Sequence, residues 1–361
     1  MKPGVPQLLL KETTMSRLSR RTFLARSLAS SAAVAGAGLW SRTALAQSGD
    51  VLRVTHFGGP YQALDALVGK KFTDGKVAFD QDQPALIFSK WQAQPTNPPY
   101  DIGLMVRPFT IRAFAAGLVT PLTAAEVPGI GRLVPGALAP DNAGAALAVD
   151  SLDIMYDRSA VSAPITSWLD LWRPEFKGKL TLPAMPLGGA ITYLLVSVAR
   201  AMGGDENKID DAITKFKDLK GNVRSFYKDP NLATQMLERG EVVVAPQYSA
   251  RIGQLMKRAP KIARGIPKEG VPAIPYDFVI AKGSKQQAMA KKFVNFVLTP
   301  GVQADVCSNI LLTPAITGVS LPEDVRKLIV ADSSKLFAPN EPLMLTKQAG
   351  WLERWQREIE S

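Results

Sequence analysis

Along this chain, short unbroken apolar runs alternate with longer stretches in which apolar residues recur every third or fourth place. The runs "VLRVTH" (51–56), "YDIGLMV" (100–106), "KGKLTLPA" (177–184), "EVVVAPQY" (241–248) and "PAIPYDFVIAKG" (272–283) predict strands, most of them buried on both faces. Between them, "YQALDALVGKKF" (61–72), "TIRAFAAGL" (110–118), "AITYLLVSVARAM" (190–202) and "SARIGQLMK" (249–257) carry helical spacing. "SKQQAMAKKFVNFVLTPGVQADVC" (284–307) supplies one or two further helices. The apolar-rich "AGAALAVDSLDIMYDRSAV" (143–161) is long enough for a strand that leaves one sheet and enters another. Such alternation predicts α/β layers with mostly parallel sheets flanked by helices, and ligands bound where strands end and helices begin. The Pro-rich "AQPTNPPY" (93–100) and "GIPKEGVPAIP" (265–275) read as loops. At the far end, "GWLERWQREI" puts Trp351, Leu352, Trp355 and Ile359 on one helical face. That face is expected to dock on the rest of the molecule.

The first residues have a different pattern. "SRRTFL" (19–24) sets two arginines before the weakly apolar "LASSAAVAGAGLW", and "ALA" (44–46) offers small residues for a signal peptidase. The apolar stretch is too short to span roughly 30 Å of hydrocarbon. The order of features resembles a twin-arginine export signal, with cleavage expected after Ala46 and a periplasmic mature protein. Export changes the charge argument. Seven of the 43 basic residues and one of the 32 acidic ones lie in residues 1–46, so the remainder carries +5 rather than +11. That excess, without a basic cluster, gives no reason to expect nucleic acid as a partner.

The residues exclude several chemistries. One cysteine, Cys307, permits no disulfide within the chain, and its helix-like surroundings predict a buried, inert thiol. One histidine, His56, with one cysteine cannot build the usual zinc or haem sites, and no cofactor is expected. A serine–histidine triad could use only His56, and there is no Gly-x-Ser-x-Gly elbow. "SFYK" (225–228) has the Ser-x-x-Lys spacing of penicillin-recognising enzymes, but no Lys-Thr-Gly or Ser-Asp-Asn accompanies it. The expectation is a binding protein rather than an enzyme.

Four segments point to one family. "ITSWLDLWRPEFKGKLTLP" (165–183), "HFGGPYQ" (56–62), "GEVVVAPQYSARIGQL" (240–255) and "PKEGVPAIPYDFVIAKGSKQQAMAKKFVNFVLTPGVQA" (267–304) resemble the periplasmic solute-binding proteins of ABC importers, in the branch of the spermidine/putrescine-binding proteins. The resemblance implies a type II-like fold of two α/β lobes, a ligand cleft between them, and delivery of the solute by a monomer to an inner-membrane permease. It places lobe 1 at 47–148 and 277–317, lobe 2 at 149–276, and C-terminal helices at 318–361.

Candidate ligand contacts follow. In "HFGGPY", Gly58 and Gly59 permit a tight turn and Pro60 opens a helix, making a pocket floor walled by Phe57 or Tyr61. Gly188 and Gly189 form a second glycine-led helix start, or simply a tight turn. Asp150 and Ser151 in the crossing strand either face the ligand or cap backbone groups. "PQYSAR" brings Gln247, Tyr248 and Arg251 to a strand end. Asp277 matches the family position where a carboxylate meets an amine, or serves as a structural hinge carboxylate, and Arg107 ends a strand pointing to the cleft or to a rim salt bridge. The family resemblance favours an amine-containing, polyamine-like solute. The glycine-led helix starts and the arginines favour an anionic or zwitterionic one, such as a phosphonate or carboxylate.

Overall fold

The computed structural model describes residues 51–361, so the export signal and its cleavage site lie outside the described residues. The first half of the chain builds strand β1 (Val51–His56), the one-turn helix α1 (Leu64–Leu67), β2 (Lys76–Gln81), α2 (Pro84–Ala93), β3 (Ile102–Val106) and α3 (Arg107–Ala115). Strand β4 (Ala145–Asp157) then leads to β5 (Leu180–Pro183), α4 (Gly188–Ala201), α5 (Ile209–Lys217) and β6 (Val223–Tyr227). After these come α6 (Pro230–Glu238), β7 (Val244–Tyr248), α7 (Ser249–Arg258) and β8 (Ile262–Gly265). Strand β9 (Val271–Ile280) precedes α8 (Gln287–Val297) and α9 (Pro300–Ile310). The chain ends with β10 (Thr313–Pro314), α10 (Glu323–Arg326), β11 (Leu336–Phe337) and α11 (Glu341–Trp355).

The principal strand order is β2-β1-β3-β9-β4-β7-β5-β6. Pairing is parallel within β2-β1-β3 and within β7-β5-β6. It is antiparallel where β9 and β4 join the two groups. Every residue of β4 is buried. Its first part, Ala145–Ser151, pairs with β9, and Leu152–Tyr156 pairs with β7. One long strand therefore serves both sheets, as the length of the apolar run predicts.

Apolar burial falls on either side of this crossing. Leu52, Val54, Ile102, Leu104, Phe278, Phe293 and Val306 belong to one core, and Trp168, Leu182, Leu194, Phe216 and Trp355 belong to another. The C-terminal face behaves as its spacing predicts: Trp351, Trp355 and Ile359 are buried. Cys307 is buried too, and burial pushes its thiol pKa well up.

Two predicted elements differ, and a third is sharpened within its expectation. The helix expected over 61–72 is broken into a 3-10 turn (Gly59–Ala63), α1 and a second 3-10 turn (Gly69–Lys71). The break falls at Val68, whose backbone leaves the helical region (φ −125, ψ −58), beside a Gly69 that lies against Phe79. The loop expected over 265–275 shrinks, because β9 already starts at Val271 despite Pro272 and Pro275. The stretch 284–307 resolves into two helices, with Pro300 in the first turn of the second, where a missing N–H costs nothing.

Candidate functional site: a tyrosine-lined cavity at the crossing strands

The segment "HFGGPY" builds a tight turn after β1. Gly58 sits at φ 82, ψ −169 and Gly59 at φ 55, backbone regions that suit glycine. The His56 Nδ1 accepts the Gly58 N–H at 2.8 Å, and Tyr61 N–H donates to the Gly58 carbonyl at 3.2 Å. Burial lowers the His56 pKa, with Asp80 opposing, which keeps the ring neutral and able to accept. The histidine holds the turn. That turn in turn aims Tyr61 inward.

Tyr61 meets Phe57 and Tyr276 edge-to-face, at 5.2 Å for Phe57–Tyr61 and 5.9 Å for Tyr61–Tyr276, and Phe57 lies 5.5 Å from Tyr276. Below them is a cavity of about 300 Å³ lined by Tyr61, Tyr248, Tyr276, Asp150, Arg251 and Gln254, among others. Asp150 is its one carboxylate. The Oδ2 atom accepts the Tyr276 hydroxyl at 2.9 Å, and Oδ1 accepts the N–H groups of Ser151 (2.9 Å) and Ala250 (3.3 Å). Burial raises the Asp150 pKa to about 6, against the lowering effect of these hydrogen bonds. Burial also raises the phenols, Tyr248 to about 12 and Tyr61 and Tyr276 further, so all three stay neutral donors. Arg251, one turn into α7, donates to the Asn231 side chain. The first turns of α6 and α7 also border the cavity through Pro230 and Ala250.

The structure thus brings together Tyr61, Asp150, Tyr248 and Arg251 from the sequence-derived candidates, with Phe57 behind Tyr61. Other candidates lie elsewhere. Ser151 donates to Asp153 at 2.6 Å, and Asp153 pairs with Arg264. Gln247 is fully buried and donates to the Pro230 carbonyl at 2.7 Å, which fixes the start of α6. Gly188 lies against Leu352 of α11: a Cβ there would come within 2.8 Å of the leucine. Neither Gly188 nor the exposed Gly189 lines the cavity.

Arg107 and Asp277, weighed in the sequence as rival ligand contacts, hold each other. Arg107 Nε and Nη2 donate to the two Asp277 oxygens at 2.8 and 2.9 Å, and Thr110 donates to the same carboxylate at 2.8 Å. Arg107 also donates to the Gly136 carbonyl at 2.8 Å. Both side chains are buried. The reason is strand geometry: successive residues of β9 face opposite ways, so Tyr276 looks into the cavity and Asp277 looks away from it. Tyr276 is a contact absent from the sequence-derived candidates, although the same period of two signals it. On the Asp277 side, Glu341 at the start of α11 accepts the Tyr193 hydroxyl at 2.7 Å. Burial raises the Glu341 pKa to about 7, with Tyr193 and Arg107 pulling it down.

Two groups of strands bridged by long crossing strands, with a polar cavity at the crossing, define a two-lobed binding protein. Comparison with known proteins then gives the family. The profile of the bacterial extracellular solute-binding proteins matches residues 97–332, well over half of the chain. The chain belongs to that family. It is 26% identical over 310 residues to the putrescine-binding periplasmic protein PotF of Escherichia coli, covering 74% of this chain and 82% of that one. A gamma-aminobutyric acid-binding protein of Pseudomonas aeruginosa is 26% identical over 241 residues, covering 64% of this chain and 66% of the relative. The crystal structure of an ABC transporter protein from Clostridium perfringens superposes with a TM-score of 0.76 at 24% identity, covering 85% of this chain and 99% of that one. No helix among the described residues is long and apolar enough to cross a membrane.

Proposed function

We propose that this protein is the extracytoplasmic solute-capturing component of an ABC importer, and that its solute is short, with an ammonium at one end and an acidic group at the other. The observation that carries this reading is the charge content of the cavity: one buried carboxylate, Asp150, and one guanidinium, Arg251, among three tyrosines. A desolvated ammonium needs a carboxylate and an aromatic or hydroxyl surround. An acidic group needs a guanidinium, and the starts of α6 and α7 add favourable dipoles. A diamine such as putrescine would find Asp150 for one end and Arg251 for the other, a repulsive match. Gamma-aminobutyric acid, for which one relative is named, has the fitting pair of charges.

In this reading the chain is exported through "SRRTFL", is cleaved after Ala46, acts by binding rather than catalysis, and hands its solute to an inner-membrane permease as a monomer. The lobes divide at about residues 148 and 276, within the crossing strands. Isothermal titration of the mature protein with gamma-aminobutyrate, 2-aminoethylphosphonate and putrescine tests the proposal. One of the first two is expected to bind at least tenfold more tightly than putrescine. The opposite order would overturn the zwitterion reading and leave the diamine.

A further inference from the structure

A second, larger cleft lies away from the solute cavity. Its volume is about 410 Å³, and Thr313, Thr317, Gly318, Ser320, Arg326 and Ser333 line it. The floor is firmly built. Thr313 and Pro314 pair with Val149 and Ala148 of the crossing strand, Thr313 donates to the Val330 carbonyl at 2.9 Å, and Thr317 N–H donates to the Arg132 carbonyl at 2.9 Å.

Several donors among the lining residues have no protein acceptor. Among the described residues, no hydrogen bond is made by the Arg326 side chain, by the hydroxyls of Ser320 and Ser333, or by the amides of Gly318 and Val319. Gly318, at φ 78, turns the backbone there. The lining includes no carboxylate. Of the acids flanking the lining residues, Asp332 accepts the Ser334 N–H at 3.0 Å and Glu323 pairs with Lys327 at 3.5 Å, while Asp324 is exposed and does not line the cleft. A guanidinium, free hydroxyls and successive unpaired amides are the donor set that oxyanions select. We infer that this cleft is a second ligand site, specific for a small soluble oxyanion such as a phosphate or a polycarboxylate, held by Arg326 and the 317–320 segment.

The probes are inorganic phosphate and citrate, titrated calorimetrically into the mature protein at low ionic strength. At least one is expected to bind saturably, and Arg326→Ala is expected to weaken it by tenfold or more. Arg326 is exposed, so this substitution leaves the core intact. Arg251→Gln, on the solute cavity, is expected to leave the anion's affinity unchanged. Absence of saturable binding by both anions would overturn the inference. So would undiminished binding in Arg326→Ala, or loss in Arg251→Gln, which would put the anion in the solute cavity instead.

Discussion

At Asp150, folding and binding respond to pH in opposite senses. Its folded pKa of about 6 lies above the usual value of 3.8. The folded protein therefore takes up this proton before the unfolded chain does. The resulting stability, about 3 kcal/mol, is fully present below pH 4 and is lost as pH rises through 6. An ammonium ligand needs the ionised form, so its affinity should fall about tenfold per pH unit below 6. Chemical denaturation and titration calorimetry between pH 4 and 8, each compared with Asp150→Asn, check the two slopes. The same variant should lose several hundredfold in affinity at pH 7.5, since a buried ammonium deprived of its carboxylate costs about 3–5 kcal/mol. Asp277→Asn should instead lower stability by a similar amount, because it strands Arg107, while changing affinity little. The sequence made Asp277 conspicuous as a carboxylate at a family position. Which face of β9 it occupies depends on register, and a shift of one residue exchanges the two faces.

Elements were legible where apolar burial was high. The strands 100–106 and 241–248 and the crossing strand read clearly because they are mostly buried, and 51–56 reads through Leu52 and Val54 although Arg53 pairs with Asp80 at its surface. Strand β2, on the edge and largely half-buried, gave no such run, and neither did β6 at the opposite edge. Helix α5 is hard to read although Ile209, Ala212, Ile213 and Phe216 keep helical spacing, since charged residues fill the places between. Helices α2 and α6 have proline in the first turn, a start signal present in the sequence. The glycine turn after β1 was the most readable local feature, and its geometry sets a test. Gly58→Ala should cost about 1–3 kcal/mol, because φ 82 with ψ −169 belongs to a region nearly closed to other residues. Thermal unfolding measures that loss, and a cost near zero would show that the turn is not held as described.

For the whole molecule, bound solute should draw the two groups of strands together, and small-angle scattering should report a smaller radius of gyration at saturation. The fold's overall plan was legible because a long apolar strand is a strong signal, whereas the partners that residues find across the chain were not. Trp355 shows the difference. It is fully buried, meets Phe216 at 5.0 Å and Phe226 at 6.5 Å, and its Nε1 makes no hydrogen bond. Trp355→Ala should cost about 3–5 kcal/mol in denaturant unfolding, and Trp355→Phe far less, since it also removes an unpaired donor. The position of this residue matters for synthesis as well. One core is nearly complete once β9 and the two helices after it have been made, whereas the other also needs Trp355 and Ile359, far later in the chain. The first can therefore close while residues of the second are still to be made, and each joins distant parts of the chain, which makes folding slow.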